Sequence, residues 1–187
     1  MADSSVTMVT AGIAGIAVIV TVVGWNVSHY LAKKREDRTL RIESTINKIE
    51  RQIEEFYGPL LSRMELIFNV WRIREIIFNK VDNKCRGKID EFVWKEYFLP
   101  LHDEIRDLIK VKFYLVDDQK VASSIKEYLE HSTQELFQKR IEKELNISTA
   151  HIEGKRWPKD FHPNVLTALS DIKLIREDLI KELKASQ

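Results

Sequence analysis

The sequence predicts an all-α protein in which a single N-terminal transmembrane helix continues into a cytoplasmic helical bundle. Residues 6–27 form an uncharged stretch of apolar, small and hydroxylated side chains, which is typical of a membrane span. Apolar residues then recur at spacings of three and four through most of the remaining chain, which is the period of an α-helix. The roughly 155 residues after the membrane segment are enough for one domain with its own core.

The first predicted elements are a short extracytoplasmic tail, residues 1–5, and the transmembrane helix, residues 6–30. At about 1.5 Å per residue the uncharged stretch gives about 33 Å of helix, enough to cross a hydrocarbon core of about 30 Å. Asp3 in the tail and the length of the apolar run argue against a cleaved signal peptide. Aromatic and basic side chains then mark the cytoplasmic membrane interface, which puts the N-terminus outside and the rest of the chain in the cytoplasm. These interface residues are Trp25, Tyr30, Lys33, Lys34 and Arg35.

Small or hydroxylated side chains form a stripe along one face of this helix. Their mean spacing of about 3.5 residues is typical of helices in a left-handed bundle. One helix cannot enclose a pore, so a lumen lined by these hydroxyls would need a ring of several copies. Tight helix packing without a lumen is the alternative. The predicted pore-lining residues are Thr7, Thr10, Ala14, Ala17, Thr21, Gly24 and Ser28.

A juxtamembrane helix is predicted for residues 31–58. Its apolar residues repeat every three or four positions, which indicates a coiled-coil-like seam that would help hold the ring together. No proline precedes Pro59, so the helix that begins near residue 6 is expected to continue to about residue 56 and to break at Gly58-Pro59. The seam residues are Ile42, Ile46, Ile49, Ile53 and Phe56.

The helical bundle is predicted to fill residues 59–187. A second helix places a broad apolar face in the core, including Trp71, Ile76 and Ile77. The polar residues 82–88 predict a loop, and a third helix from Ile89 should bend at Pro100. Residues 111–116 fit a helix better than a strand, because no partner strand is evident.

Two further helices complete the predicted bundle. Asp117 and Asp118 are good N-caps for a helix that ends near Leu145. The irregular residues 146–162 predict a long loop, and Pro163 suits the first turn of a last helix.

Composition and motifs give few signs of catalysis. The charge is balanced, with 30 Lys and Arg against 29 Asp and Glu, so the overall charge does not favour a nucleic-acid surface. Cys85 is the only cysteine, which excludes an intrachain disulfide framework. There is no phosphate-binding glycine loop and no pair of histidines at metal-ligand spacing, so we expect no cofactor, no metal and no small-molecule substrate.

An enzymatic interpretation rests on Arg156 and His162, six residues apart. Arginine binds phosphate through parallel hydrogen bonds and histidine exchanges protons near neutral pH, so this pair could cleave RNA. In the alternative interpretation, Trp157 and Phe161 anchor the loop against the bundle while Arg156 and His162 bridge nearby groups. We expect the protein not to be an enzyme.

The combination of a membrane helix from Val6, an all-helical cytoplasmic domain and the Arg156/His162 pair of the HEPN type (R-x4–6-H) resembles the small membrane accessory proteins of type VI-B CRISPR systems. The resemblance implies a HEPN-like bundle and a homo-oligomeric pore that perturbs the inner membrane and enhances antiviral defence. Its implied partners are other copies of the chain, membrane lipid and, indirectly, RNA or an RNA-guided RNase. Trp157 and Pro158 depart from the usual HEPN pattern.

Three functions therefore remain open. The first is a homo-oligomeric pore or membrane-permeabilising effector. The second is a membrane-tethered HEPN-like RNase in which two chains share one site built from Arg156 and His162. The third is a membrane-anchored adaptor whose bundle binds a partner.

Overall fold

The computed structural model describes the backbone of residues 3–149 and 151–186 and the side chains of residues 23–149 and 151–185. Every regular element in these ranges is helical, which confirms the all-α prediction. The α-helices are α1 (Asp3–Gln52), α2 (Gly58–Phe78), α3 (Asn83–Val93), α4 (Leu99–Lys112), α5 (Gln119–Leu145) and α6 (Phe161–Ser186). Two π-helical turns, Ile53–Tyr57 and Trp94–Phe98, and a 3-10 turn, Phe113–Leu115, lie between them.

The N-terminal part of α1 contains the predicted membrane segment. The side chains of residues 6–22 lie outside the described set, and with them the predicted pore-lining residues Thr7, Thr10, Ala14, Ala17 and Thr21. Within the described part of the chain, we find no helix that is both long and apolar enough to span a membrane.

The chain divides into two compact units, and the smaller comprises Met1–Ile46 and Leu179–Gln187. Here Arg38 donates to Glu182, with 2.5 Å between Nη2 and Oε1. Ile42 and Ile46, two residues of the predicted seam, are buried by the chain itself. Since a second copy cannot pack against side chains that are already covered, these residues do not form an open coiled-coil seam.

The larger unit, Asn47–Asp178, contains the main hydrophobic core. Helix α2 contacts α3 and α4, and α4 contacts α5. Burial of large apolar side chains drives this packing, because each removes about 1.5–3 kcal/mol of unfavourable hydration. The fully buried side chains include Phe56, Tyr57, Leu60, Met64, Ile105, Ile125, Tyr128, Phe161 and Val165.

The predicted break at Gly58-Pro59 is wrong, because the backbone stays helical through both residues. The preceding turn widens instead, and the Gly58 N–H donates to the Ile53 carbonyl, five residues back. The same arrangement occurs before Pro100, where the Leu99 N–H donates to the Trp94 carbonyl. A proline ring clashes with the carbonyl four residues earlier, and a π-turn relieves that clash without ending the helix.

Two other local expectations differ from the structure. Residues 83–88 are the first turns of α3, after Asp82 in the extended conformation of an N-cap, so the predicted loop is wrong. The single cysteine, Cys85, is exposed on this helix. On α2, Trp71, Ile76 and Ile77 are exposed, whereas Leu60, Met64 and Ile67 in its first half are buried as expected.

The ends of the helices agree better with the predictions made from the sequence. Asp118 caps α5, its Oδ1 accepting from the backbone N–H groups of Lys120 and Val121 at 2.7 and 3.0 Å. Asn146 ends α5 in the left-handed conformation, with φ 52°, a common role for asparagine. Residues 113–115 are a 3-10 turn, and Pro163 lies in the first turn of α6.

Candidate functional site

A cavity of about 470 Å³ opens into the core of the larger unit. Both aromatic rings and charged or titratable side chains line it. The aromatic residues are Phe68, Trp71, Trp94, Phe98 and Trp157, and the polar ones are Arg74, Asp90, His102, His131, Glu135 and Lys139. Such a concave, mostly apolar site with a few converging polar groups is the usual form of a binding pocket.

His102 projects from α4 and is only 6% exposed. Its Nδ1 lies 2.9 Å from the hydroxyl of Tyr128 on α5, and the two rings stack. Burial, assisted by the nearby His131 and Arg106, lowers the pKa of His102 to about 4, so this imidazole is neutral at neutral pH. Burial also raises the pKa of Tyr128, so its hydroxyl keeps its proton. A neutral imidazole of this kind has one nitrogen lone pair to offer.

His131 and Glu135 lie one turn apart on α5, and both line the cavity. The His131 Nδ1 is 2.5 Å from the Lys155 carbonyl oxygen, and because a carbonyl only accepts, Nδ1 donates the proton. The Nε2 atom of His131 is then 3.3 Å from Glu135 Oε2. The same carboxylate oxygen lies 4.0 Å from His102 Nε2. Burial raises the pKa of Glu135, which indicates how poorly water solvates this carboxylate.

These three side chains form the His102/His131/Glu135 cluster. Each presents one ligand atom, and the three atoms lie within 4.8 Å of one another. Two imidazoles and one carboxylate are a common ligand set for zinc and other divalent transition metals. The expectation that no metal site exists considered sequence spacing alone, and the structure brings together residues from two helices.

Basic side chains stand beside the cluster. Arg74 donates to Asp90, with 2.7 Å between Nε and Oδ1, and its guanidinium lies over the rings of Trp71 and Phe78. Lys139, one turn after Glu135 on α5, also lines the cavity. The cavity therefore combines stacking surfaces with both signs of charge.

The residues of the predicted RNase pair have separate surroundings. His162, in the first turn of α6, places Nε2 2.7 Å from Glu65 Oε1, and its ring meets the edge of Phe68. Arg156 is exposed in the segment between α5 and α6. In the described part of the chain, no hydrogen bond, ion pair or ring contact joins Arg156 to His162.

Trp157 and Phe161 anchor this segment, as the alternative interpretation expects. Phe161 is fully buried and stacks on Tyr128 with 4.9 Å between ring centroids. Trp157 lies within 5.4–6.2 Å of five rings of the larger unit. These rings belong to Phe68, His102, Tyr128, His131 and Phe161.

The predicted membrane-interface residues are exposed in the isolated chain. Trp25 and Tyr30 are each 66% exposed, and Trp25 stacks on His29. Lys33, Lys34 and Arg35 are exposed too. Of the predicted pore-lining residues, Gly24 and Ser28 fall in the described range, and both are exposed.

One signal in the sequence points to the cluster. His131 and Glu135 are four residues apart on a helix, a spacing that puts both side chains on one face. His102 could not be added to them from sequence, because only the packing of α4 against α5 brings it there.

No family model, curated protein or solved structure matches the chain. The resemblance to type VI-B accessory proteins therefore stays a prediction.

Proposed function

We propose that the protein is a homo-oligomeric membrane pore or membrane-permeabilising effector that enhances CRISPR-based antiviral defence. One observation carries the proposal. Residues 6–27 are uncharged, long enough to cross a bilayer, and carry small or hydroxylated residues at a mean spacing of about 3.5. Side chains of this kind let helices approach closely and would face one another or water rather than lipid.

Two features of the described residues support this proposal. The backbone of α1 is helical from Asp3 to Gln52, which suits a segment that both crosses a membrane and continues beyond it. On α2, Leu66, Ile73 and Ile77 are 49%, 54% and 37% exposed. Their spacing of seven and four puts them on one helical face, and an exposed apolar face of this kind is typical of a protein interface. A second copy of the chain is the partner that the proposal assigns to it.

The test replaces the stripe with bulky side chains. Thr10, Ala14, Ala17 and Thr21 are changed together to Leu in the full-length protein, which is then reconstituted into vesicles loaded with a fluorescent dye. Leucine keeps the segment apolar, so we expect normal insertion but loss of dye leakage, because close helix approach and the hydroxyls are both removed.

The matched control places four leucines where the helical period puts the opposite face, at Val9, Ile16, Ile19 and Val23. This variant should leak like the unmodified protein. Leakage that persists in the stripe variant would refute the pore, and equal loss in both variants would show that the effect is not specific to the stripe.

A further inference from the structure

We propose that the His102/His131/Glu135 cluster binds a divalent transition-metal ion, for which zinc is the best fit. The proposed ligand atoms are Nε2 of each histidine and a carboxylate oxygen of Glu135. This inference rests on the cavity in the larger unit and is independent of the membrane function proposed above.

The hydrogen bonds of His131 make the first argument. Its Nδ1 donates to the Lys155 carbonyl, so in the neutral ring Nε2 carries a lone pair. That lone pair faces a carboxylate oxygen 3.3 Å away. Two acceptors at this distance repel unless a positive species lies between them, either a proton or a metal ion. The third atom, Nε2 of His102, lies 4.0 Å from the same oxygen and carries a lone pair in the tautomer whose Nδ1–H donates to the Tyr128 hydroxyl.

The second argument concerns the outer contacts, which are the hydrogen bonds that each histidine makes through the ring nitrogen facing away from the proposed metal. Metal-binding histidines almost always hydrogen-bond through their other ring nitrogen, which fixes the ring and the tautomer. Both histidines of the cluster have such a contact on Nδ1: Tyr128 for His102 and the Lys155 carbonyl for His131. These contacts direct the Nε2 atoms of both histidines towards the proposed metal position. Ring stacking between His102 and Tyr128 further limits rotation of His102.

Distances make the third argument. In a tetrahedral zinc centre with bonds of about 2.0–2.1 Å, ligand atoms are separated by about 3.3–3.4 Å. The His131–Glu135 pair already has this separation, the Glu135–His102 distance would shorten by about 0.6 Å, and the His102–His131 distance, which is within 4.8 Å, would shorten by up to about 1.4 Å. Three protein ligands leave a fourth position open, as in zinc sites that bind a water or a substrate.

The test uses the full-length protein in detergent, first freed of metal with a chelator. Titration with Zn²⁺ in a calorimeter should show saturable binding of one ion per chain, and the bound protein should melt at a higher temperature. Co²⁺ in place of Zn²⁺ should give the visible absorption of a four- or five-coordinate site, which a purely structural role of the cluster would not produce.

Glu135→Gln and His131→Gln are the test variants, because neither residue is as deeply buried as His102. Each should weaken zinc binding by more than about 100-fold, since losing only an outer contact lowers affinity by about 10–100-fold. Tyr128→Phe removes such an outer contact and should fall in that lower range. His151→Gln, at an exposed histidine outside the cluster, is the matched control and should bind zinc normally.

Absence of saturable zinc binding in the unmodified protein would overturn the proposal and leave a shared proton as the positive species. Binding that survives in the Glu135→Gln/His131→Gln double variant would overturn it as well. A loss of folding is distinguished by circular dichroism of each variant, and Tyr128→Phe provides a second, conservative measurement.

Discussion

Trp157 is the residue that fixes the segment between α5 and α6 to the rest of the larger unit. Its indole lies close to rings from α2, α4, α5 and α6, so one side chain connects four helices. Aromatic pairs of this kind add about 0.5–1.5 kcal/mol each beyond the area they bury. The indole also lies beside both histidines of the cluster, so its removal would disturb the cavity wall.

We expect Trp157→Ala to lower the free energy of unfolding by about 3 kcal/mol and to expose the segment between α5 and α6 to protease, because the main anchor is lost. Urea unfolding and limited proteolysis of the full-length protein measure the two effects. Trp71→Ala is the control, since that side chain is 49% exposed and should matter much less. Equal destabilisation by both changes would show that Trp157 is not a special anchor.

His162 has a role that its sequence motif does not suggest. Glu65 accepts a hydrogen bond from the imidazole or shares its proton, and Phe68 packs against the ring. A general base for RNA cleavage needs a free nitrogen within reach of the ribose. A HEPN-like RNase that used Nε2 of His162 as its base would therefore require Glu65 to release that nitrogen.

Residues whose role depends on near neighbours in sequence were predictable, and those that depend on tertiary contacts were not. Asp118 caps α5 as predicted, because capping is a contact with the next three residues. Asp117, an equally good candidate by residue type, instead accepts hydrogen bonds from Lys48 and Gln52. The cluster around His102 was missed for the same reason, since α4 and α5 must first pack together.

At the scale of elements, two prolines follow π-turns rather than helix ends. Pro59 and Pro100 each lie two residues after the last residue of a π-turn. The wider turn contains one residue more than an α-helical turn, and the chain stays helical on both sides of it. The sequence rule that proline ends a helix failed here because it considers only the α-helical hydrogen bond.

Gly58 is required by this geometry, although its backbone angles are helical. A Cβ atom at this position would lie 2.8 Å from the Ile53 carbonyl oxygen. We therefore expect Gly58→Ala to lower the free energy of unfolding by about 1–3 kcal/mol, the usual penalty for overpacking, as measured by urea unfolding.

The matched control is Gly87→Ala on α3. A Cβ atom there meets no other atom within 4 Å, and alanine is the better helix former. This variant should be more stable by about 0.5–1 kcal/mol. The same substitution thus has opposite expected signs at the two positions, and a stabilising Gly58→Ala change would contradict the role given to the π-turn.

Helix α3 shows why polar composition is a weak loop signal. Asp, Asn and Gly occur together at residues 82–88, but only Asp82 lies before the helix. Acidic and amide side chains favour helix starts as much as turns, and an exposed glycine is tolerated in a helix. For the neighbouring α2 the prediction was wrong in the opposite sense, because Trp71, Ile76 and Ile77 were expected in the core and are exposed.

At the scale of the whole molecule, the proposed assembly depends on residues 6–30. The seam residues Ile42 and Ile46 are buried in the single chain, so they are not open to contacts between copies. The remaining candidates are the stripe of small residues and the exposed apolar face of α2. Helix association in lipid relies on close packing and polar contacts, which the predicted stripe would supply.

Replacement of residues 1–30 with an unrelated single-span helix tests this dependence. We expect the native protein to form a ring when viewed end-on by electron microscopy in detergent. The chimaera should reach the membrane and keep its helical domain but lose both this ring and dye leakage. Full function in the chimaera would favour the adaptor. A ring that persists without leakage would instead assign assembly to the bundle and permeation to the native segment.

Cys85 allows the number of chains in such an assembly to be counted without further mutation. It is the chain's only cysteine, and it is exposed on α3, away from the predicted membrane segment in sequence. A maleimide dye therefore attaches once per chain, at a defined helix. Stepwise photobleaching of single labelled particles then reads the number of chains directly, and energy transfer between labelled copies gives the diameter of the assembly.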